Sequence, residues 1–178
     1  WFERNAFFKS EEKWTSPFTH TIAYVMEGLQ EAYRILGNEE YFKAYEKTAE
    51  KLMRIFEIKG FMPGDFDEKW KSSGKYSCLT GNAQIAGVWL KLFQTNNDVR
   101  YLNAALKLND DTKSTQNLST LHKGIRGGVK GSHPIIFPNW SAKFLADTLL
   151  LEEKVMKDFE KKILNNEKIE VKTQVVNV

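Results

Sequence analysis

Two pairs of amphipathic segments recur along this chain at a spacing of 60 residues, and that repeat narrows the fold more than any other feature. Tyr41-Phe42 with Ala44 is echoed by Tyr101-Leu102 with Ala104, and the same offset carries Ala23 onto Ala83 and Leu29 onto Trp89. Ile22, Val25, Met26, Leu29, Ala32, Tyr33 and Leu36 recur at helical spacing and predict a helix over Thr19–Leu36, with Thr19 as its N-cap. Gly37-Asn38 closes it, since both residues tolerate left-handed backbone angles. A second helix is expected over about Glu39–Ile58, with Glu39-Glu40 in its first turn and Lys51 and Arg54 toward its end, as the helix dipole prefers. The third and fourth helices are expected over about Thr80–Gln94 and Asp98–Gln116. A fifth is expected over about Asn139–Lys162, and Asn139-Trp140-Ser141-Ala142 opens a third copy of the unit. The remaining tail, placed at 163–178 and weakly alternating from Glu170 to Val178, reads as a frayed end or a short strand.

Connection lengths give the array a polarity. Within each hairpin the turn is short, at Gly37-Asn38 and Asn96-Asn97. Between hairpins, Lys59–Ser77 and Asn117–Pro138 are long and irregular, and such loops are often functional. The long loops should therefore collect at one end, where the first helix of each pair begins. The rim would comprise Thr19-His20-Thr21, Thr80-Gly81-Asn82-Ala83-Gln84 and Asn139-Trp140. Unpaired backbone N–H groups and positive dipole ends there would suit an anionic or hydroxyl-rich ligand.

Composition removes several classes. At 178 residues the chain reads as a single domain, and 42% apolar with 13% aromatic residues is enough for a packed core. Twenty-six basic residues face twenty-three acidic ones, so there is no broad positive field for nucleic acid. No apolar run approaches the roughly 20 residues of a membrane span. Cys78, the single cysteine, can form neither an internal disulfide nor a thiolate zinc site. It fits a reducing compartment, and a cytoplasmic location is expected. The sequence carries no signal-peptide pattern. It opens at Trp1, and Trp1 to Trp14 reads as a cut end of a larger protein. No metal-ligand spacing, nucleophile elbow or catalytic Cys–His signature is present, and no cofactor is expected.

Four strings carry a resemblance: His20-Thr21-Ile22-Ala23-Tyr24; Tyr76-Ser77-Cys78-Leu79-Thr80-Gly81-Asn82-Ala83-Gln84-Ile85-Ala86; Gly124-Ile125-Arg126-Gly127-Gly128-Val129-Lys130-Gly131-Ser132; and Phe137-Pro138-Asn139-Trp140. Together they resemble an uncharacterised bacterial family of six-hairpin (α/α) toroids met among polysaccharide-biosynthesis genes, from about Trp14 to Leu151. The resemblance implies an all-α fold of antiparallel hairpins forming part of an (α/α) toroid, here its C-terminal half. It also implies a carbohydrate-active protein in polysaccharide metabolism. It supplies no catalytic residues to carry over. The stretch from Ser132-His133-Pro134 to Phe137 is shorter than the family pattern. Half a toroid would leave inner flanks bare, so either a homodimer or the missing N-terminal half is expected to cover them.

The candidate residues divide by chemistry. Arg126 and Lys130, with Ser132 and His133, form a glycine-dense loop suited to clamping a carboxylate or phosphate; the alternative is a tight loop with solvated charges. Asn82 and Gln84 can bind sugar hydroxyls, or cap the third helix and bond neighbouring backbone. His20 and His133 are candidates for acid–base work, against a purely structural histidine. Asp67, with Asp65 and Glu68, flanks Trp70, a pattern that suits a glycosidase, or an ordinary solvated turn with an anchoring ring. Trp70 and Trp140 can stack on a sugar. Glu27, Lys143 and Asp147 lie on inner helices, and Lys143 with Asp147, four apart, read as a mutual ion pair. The expected partner is a saccharide, acidic or substituted, either bound or processed by a hydrolase, lyase or epimerase. A non-catalytic glycan- or protein-binding module is the competing reading. A terpenoid-handling toroid fits poorly, since Asp110-Asp111 are adjacent instead of spaced along one helix face.

Overall fold

A computed structural model describes residues 17–72, 74–131 and 137–165. These residues form five helices: α1 Thr19–Leu36, α2 Glu39–Lys59, α3 Leu79–Asn96, α4 Val99–Ser114 and α5 Asn139–Leu164. Beyond them, an isolated antiparallel bridge joins Phe18 to Asp65. Among the described residues no helix is long and apolar enough to cross a membrane.

The 60-residue repeat is a repeat of geometry. Helices α1, α3 and α5 begin at 19, 79 and 139, and α1 and α3 end at 36 and 96. Gly37 and Asn97 both close their helices in the left-handed conformation, with φ of 67° and 54°. Asn38 and Asp98 then cap the next helix, each accepting a hydrogen bond from the backbone N–H two residues on, at 2.9 and 3.0 Å. One turn design thus folds both hairpins, with asparagine replacing glycine in the second copy because it tolerates positive φ. Thr19 departs from the expected cap: Phe18 is the N-cap, and the Thr19 hydroxyl donates instead to the Pro63 carbonyl at 2.6 Å.

Helices α1 and α2 pair, α3 and α4 pair, and α3 is the hub on which both α1 and α5 pack. The α1 and α5 backbones do not pack on each other. The main core lies between the two hairpins, around Met26, Tyr45, Leu52, Met53, Phe56, Ile85, Trp89 and Leu108. Trp89 is fully buried, leans on Phe56 and donates its indole N–H to the Ala49 carbonyl at 3.0 Å. Helix α5 is fastened to α4 by polar contacts: Asn109 donates to Glu152 at 2.6 Å and accepts from Thr148 at 3.4 Å.

Both long connections close over the starting ends of the odd-numbered helices. The Thr19 backbone N–H donates to the Gly64 carbonyl at 2.9 Å, and that of Leu79 to the Gly131 carbonyl at 2.8 Å. Gly131 also abuts Pro138 and Ser141 at the head of α5, where a β-carbon would come within 2.8 Å of the proline ring. The loops therefore supply carbonyl partners to helix N–H groups that would otherwise face solvent.

Candidate functional site

Because α1 and α5 flank α3 without packing together, a groove of about 540 Å³ runs between them. Its walls carry Tyr24, Glu27 and Glu31 from α1 and Lys143, Phe144 and Asp147 from α5, and its floor is α3 from Ala83 to Lys91. The lining follows the repeat: positions 24, 84 and 144 hold Tyr, Gln and Phe; 27, 87 and 147 hold Glu, Gly and Asp; 31, 91 and 151 hold Glu, Lys and Leu. The groove is one helix face presented three times with different side chains.

Gly87 sits at the centre of the floor, where the flanking copies carry carboxylates. A β-carbon there would meet only the Thr148 hydroxyl oxygen, at an ordinary 3.8 Å, so packing does not demand glycine. Glycine inside a helix costs about 1 kcal/mol relative to alanine. What its absence of side chain provides is open space between Glu27 and Asp147.

Glu27 is the chemically distinctive group. It is half-buried, and burial raises its pKa above the ordinary 4.5; Gln84, Lys91 and Lys143 oppose the shift, while Asp147 adds to it. Gln84 donates its amide N–H to the Glu27 carboxylate at 2.9 Å. Gln84 is 2% exposed, and its amide oxygen has no hydrogen-bond donor. The two groove lysines are engaged at the surface, Lys91 with Glu31 at 3.2 Å and Lys143 with Asp147 at 2.8 Å. Exposed pairs of this kind contribute about 0–1 kcal/mol and rearrange cheaply. At one end of the groove the Tyr24 and Phe144 rings meet edge to face at 5.8 Å, and the Lys143 ammonium lies 4.1 Å above the Phe144 ring.

Of the residues singled out from sequence, Glu27, Gln84, Lys143 and Asp147 line this groove. Asn82 is buried beside it in the first turn of α3, its side-chain oxygen without a donor. His20 is one ring away: it stacks on Phe18 at 5.7 Å and meets Tyr24 edge-on at 6.1 Å. Its Nδ1 lies 3.5 Å from the Cys78 sulfur. Burial lowers the His20 pKa and raises that of Cys78, and both shifts disfavour a thiolate–imidazolium pair. Trp140 stands exposed in the first turn of α5 and is not part of the groove wall.

The loop candidates lie elsewhere. Arg126 is exposed and donates to the Thr120 carbonyl at 3.1 Å, and Lys130 is half-buried; neither lines the groove. Trp70 is buried against Phe66 with φ of 60°. Asp67 holds that turn, its carboxylate accepting from the backbone N–H groups of Lys69 and Lys71 at 2.9 and 2.8 Å. His133 and Ser132 lie outside the described residues, as do Trp1 to Trp14 and the tail beyond residue 165. Lys143 and Asp147 do pair as their spacing predicts, and the pair forms part of the groove wall. Tyr24, Gly87, Lys91 and Phe144 went unread in the sequence, although carrying the 60-residue offset through 24/84/144, 27/87/147 and 31/91/151 would have aligned them. Among the described residues no group of three or more His, Cys, Asp or Glu side chains is arranged to hold a metal ion. Comparison of the chain with family models, with curated proteins and with solved structures found no match.

Proposed function

We propose that the groove between α1 and α5 is a saccharide-binding cleft and that the chain is a carbohydrate-active module of (α/α)-toroid type. The observation that carries this reading is the Glu27–Gln84 pair beside the side-chain-free Gly87 floor, with the Tyr24 and Phe144 rings at one end. A sugar ring needs both kinds of surface: acceptors and donors fixed in direction for its hydroxyls, and an aromatic edge for its C–H face. The exposed Lys91–Glu31 and Lys143–Asp147 pairs give way at little cost when hydroxyls compete for them.

The test is calorimetric titration of the chain with oligosaccharides of differing substitution. Binding that weakens by about ten-fold or more in Gln84→Ala supports the reading, since a directed hydrogen bond to a charged or buried partner is of that size. An unaffected affinity in that variant would exclude the groove.

A second reading, in which the module also turns its ligand over, is favoured by the carboxyl chemistry. Glu27 holds its proton to higher pH than an ordinary carboxyl, and Asp147 stands on the opposite wall. A carboxyl group on each wall suits an acid and a base acting across a glycosidic bond. Release of reducing ends that disappears in Glu27→Gln, while sugar binding persists, would support turnover. Binding without any product would leave the module non-catalytic.

A further inference from the structure

The groove has a surplus of hydrogen-bond acceptors. Three carboxylates, Glu27, Glu31 and Asp147, line it against two ammonium groups, Lys91 and Lys143, each already paired. The buried amide oxygen of Gln84 adds an acceptor for which the fold supplies no donor. Buried polar atoms are nearly always satisfied, so an unsatisfied one on a cleft-lining side chain calls for a donor. The Phe144 ring already holds one ammonium, that of Lys143, at 4.1 Å, so its face is suited to a cation. The missing side chain at Gly87 leaves room between the carboxylates of α1 and α5.

Resting on the saccharide-binding reading, we propose that the cleft selects an amine-bearing sugar, its ammonium seated over Gly87 between Glu27 and Asp147 and its N–H groups turned to the Gln84 side. A carboxylate-bearing sugar would set a fourth negative charge among three. An N-acylated sugar would offer one N–H donor in place of three and no charge. The groups facing Glu27 are Gln84 and Lys91 from α3 and Lys143 and Asp147 from α5, with Glu31 one turn along α1. An arriving ammonium adds to the attraction of the lysines and favours the carboxylate form of Glu27.

The experiment titrates the chain at neutral pH with three matched probes: glucosamine oligomers, their fully N-acetylated counterparts and oligogalacturonate. The glucosamine oligomers should bind at least about ten-fold tighter than either of the others, as expected for a partly desolvated ion pair. Two variants, Glu27→Gln and Gly87→Leu, should each lose about ten-fold or more in that affinity while keeping the helical circular dichroism and a cooperative melt. Oligogalacturonate or the acetylated oligomer binding as tightly as the amine overturns the amine assignment and leaves the saccharide reading intact. If none of the three binds, both fall. Unchanged amine affinity in folded Gly87→Leu removes the groove as the site; if that variant fails to fold, unchanged affinity in Glu27→Gln does the same.

Discussion

At the scale of single residues, two buried ionisable groups pull stability in opposite directions with pH. Glu27 binds its proton more tightly in the folded chain than in the unfolded one, because burial disfavours the carboxylate. Its contribution is complete below the ordinary carboxyl value of 4.5 and is lost as pH rises through the higher folded value. Glu27→Gln should therefore melt with the wild type near pH 4 and above it near pH 8, by on the order of a few tenths of a kcal/mol, followed by calorimetry. His20 behaves in the reverse sense. Its folded pKa lies below 6.5, so its contribution is present above that value and is lost as pH falls through the folded one. His20→Asn removes the titration. The variant should melt about 1 kcal/mol less stably than the wild type at pH 8, and the difference should shrink steadily below about pH 6.

At the scale of elements, the contacts between helix heads and loops decide how well the groove walls are placed. Where α1 crosses α3, a β-carbon on Gly81 would come within 2.6 Å of the His20 backbone nitrogen and 2.9 Å of the Thr19 carbonyl carbon. Backbone cannot step aside as a side chain can. Gly81→Ala should thus lower stability by about 1–3 kcal/mol in urea titration despite alanine's better helix propensity. Gly87→Ala, with nothing to strike, should instead be neutral or stabilising. In the first long loop the Trp70 backbone adopts a left-handed angle that bulky residues avoid, and the Asp67 carboxylate and carbonyl hold it there. Asp67→Ala should cost about 1–3 kcal/mol, the worth of hydrogen bonds to a charged acceptor, and should raise the fluorescence quenching of Trp70 by iodide.

Helix identity and order were legible because apolar spacing and left-handed closers act locally: Ile22, Met26 and Leu29 mark one face, and Gly37 and Asn97 mark the stops. The N-cap of α1 was misread because Thr19 has a distant competitor for its hydroxyl, the Pro63 carbonyl, which local spacing does not reveal. Trp70 invited a sugar-stacking role by its acidic neighbours, yet its ring is covered by Phe66 and the core, a tertiary outcome. The polarity of the array, tight turns at one end and long connections at the other, followed from loop length alone. The groove did not, because it lies part-way down α1, α3 and α5, away from the rim where the glycine loop drew attention.

At the scale of the whole molecule, α3 is the element on which everything else leans. Trp89 joins it to α2 through Phe56 and the Ala49 carbonyl, so Trp89→Ala should remove about 3–5 kcal/mol. A shallow, non-cooperative melt in that variant would show loss of the hub, whereas a sharp melt near the wild-type temperature would contradict it.

The separation of α1 from α5 has a mechanical consequence. Two walls hinged on a common post keep their spacing only as well as the post holds each one. A guest that grips both walls acts as a strut across the opening, stiffening the first and third copies of the unit against each other without touching α4. Heat resistance gained on occupancy would then appear in α5 amide protection as much as in α1, although their backbones do not pack on each other.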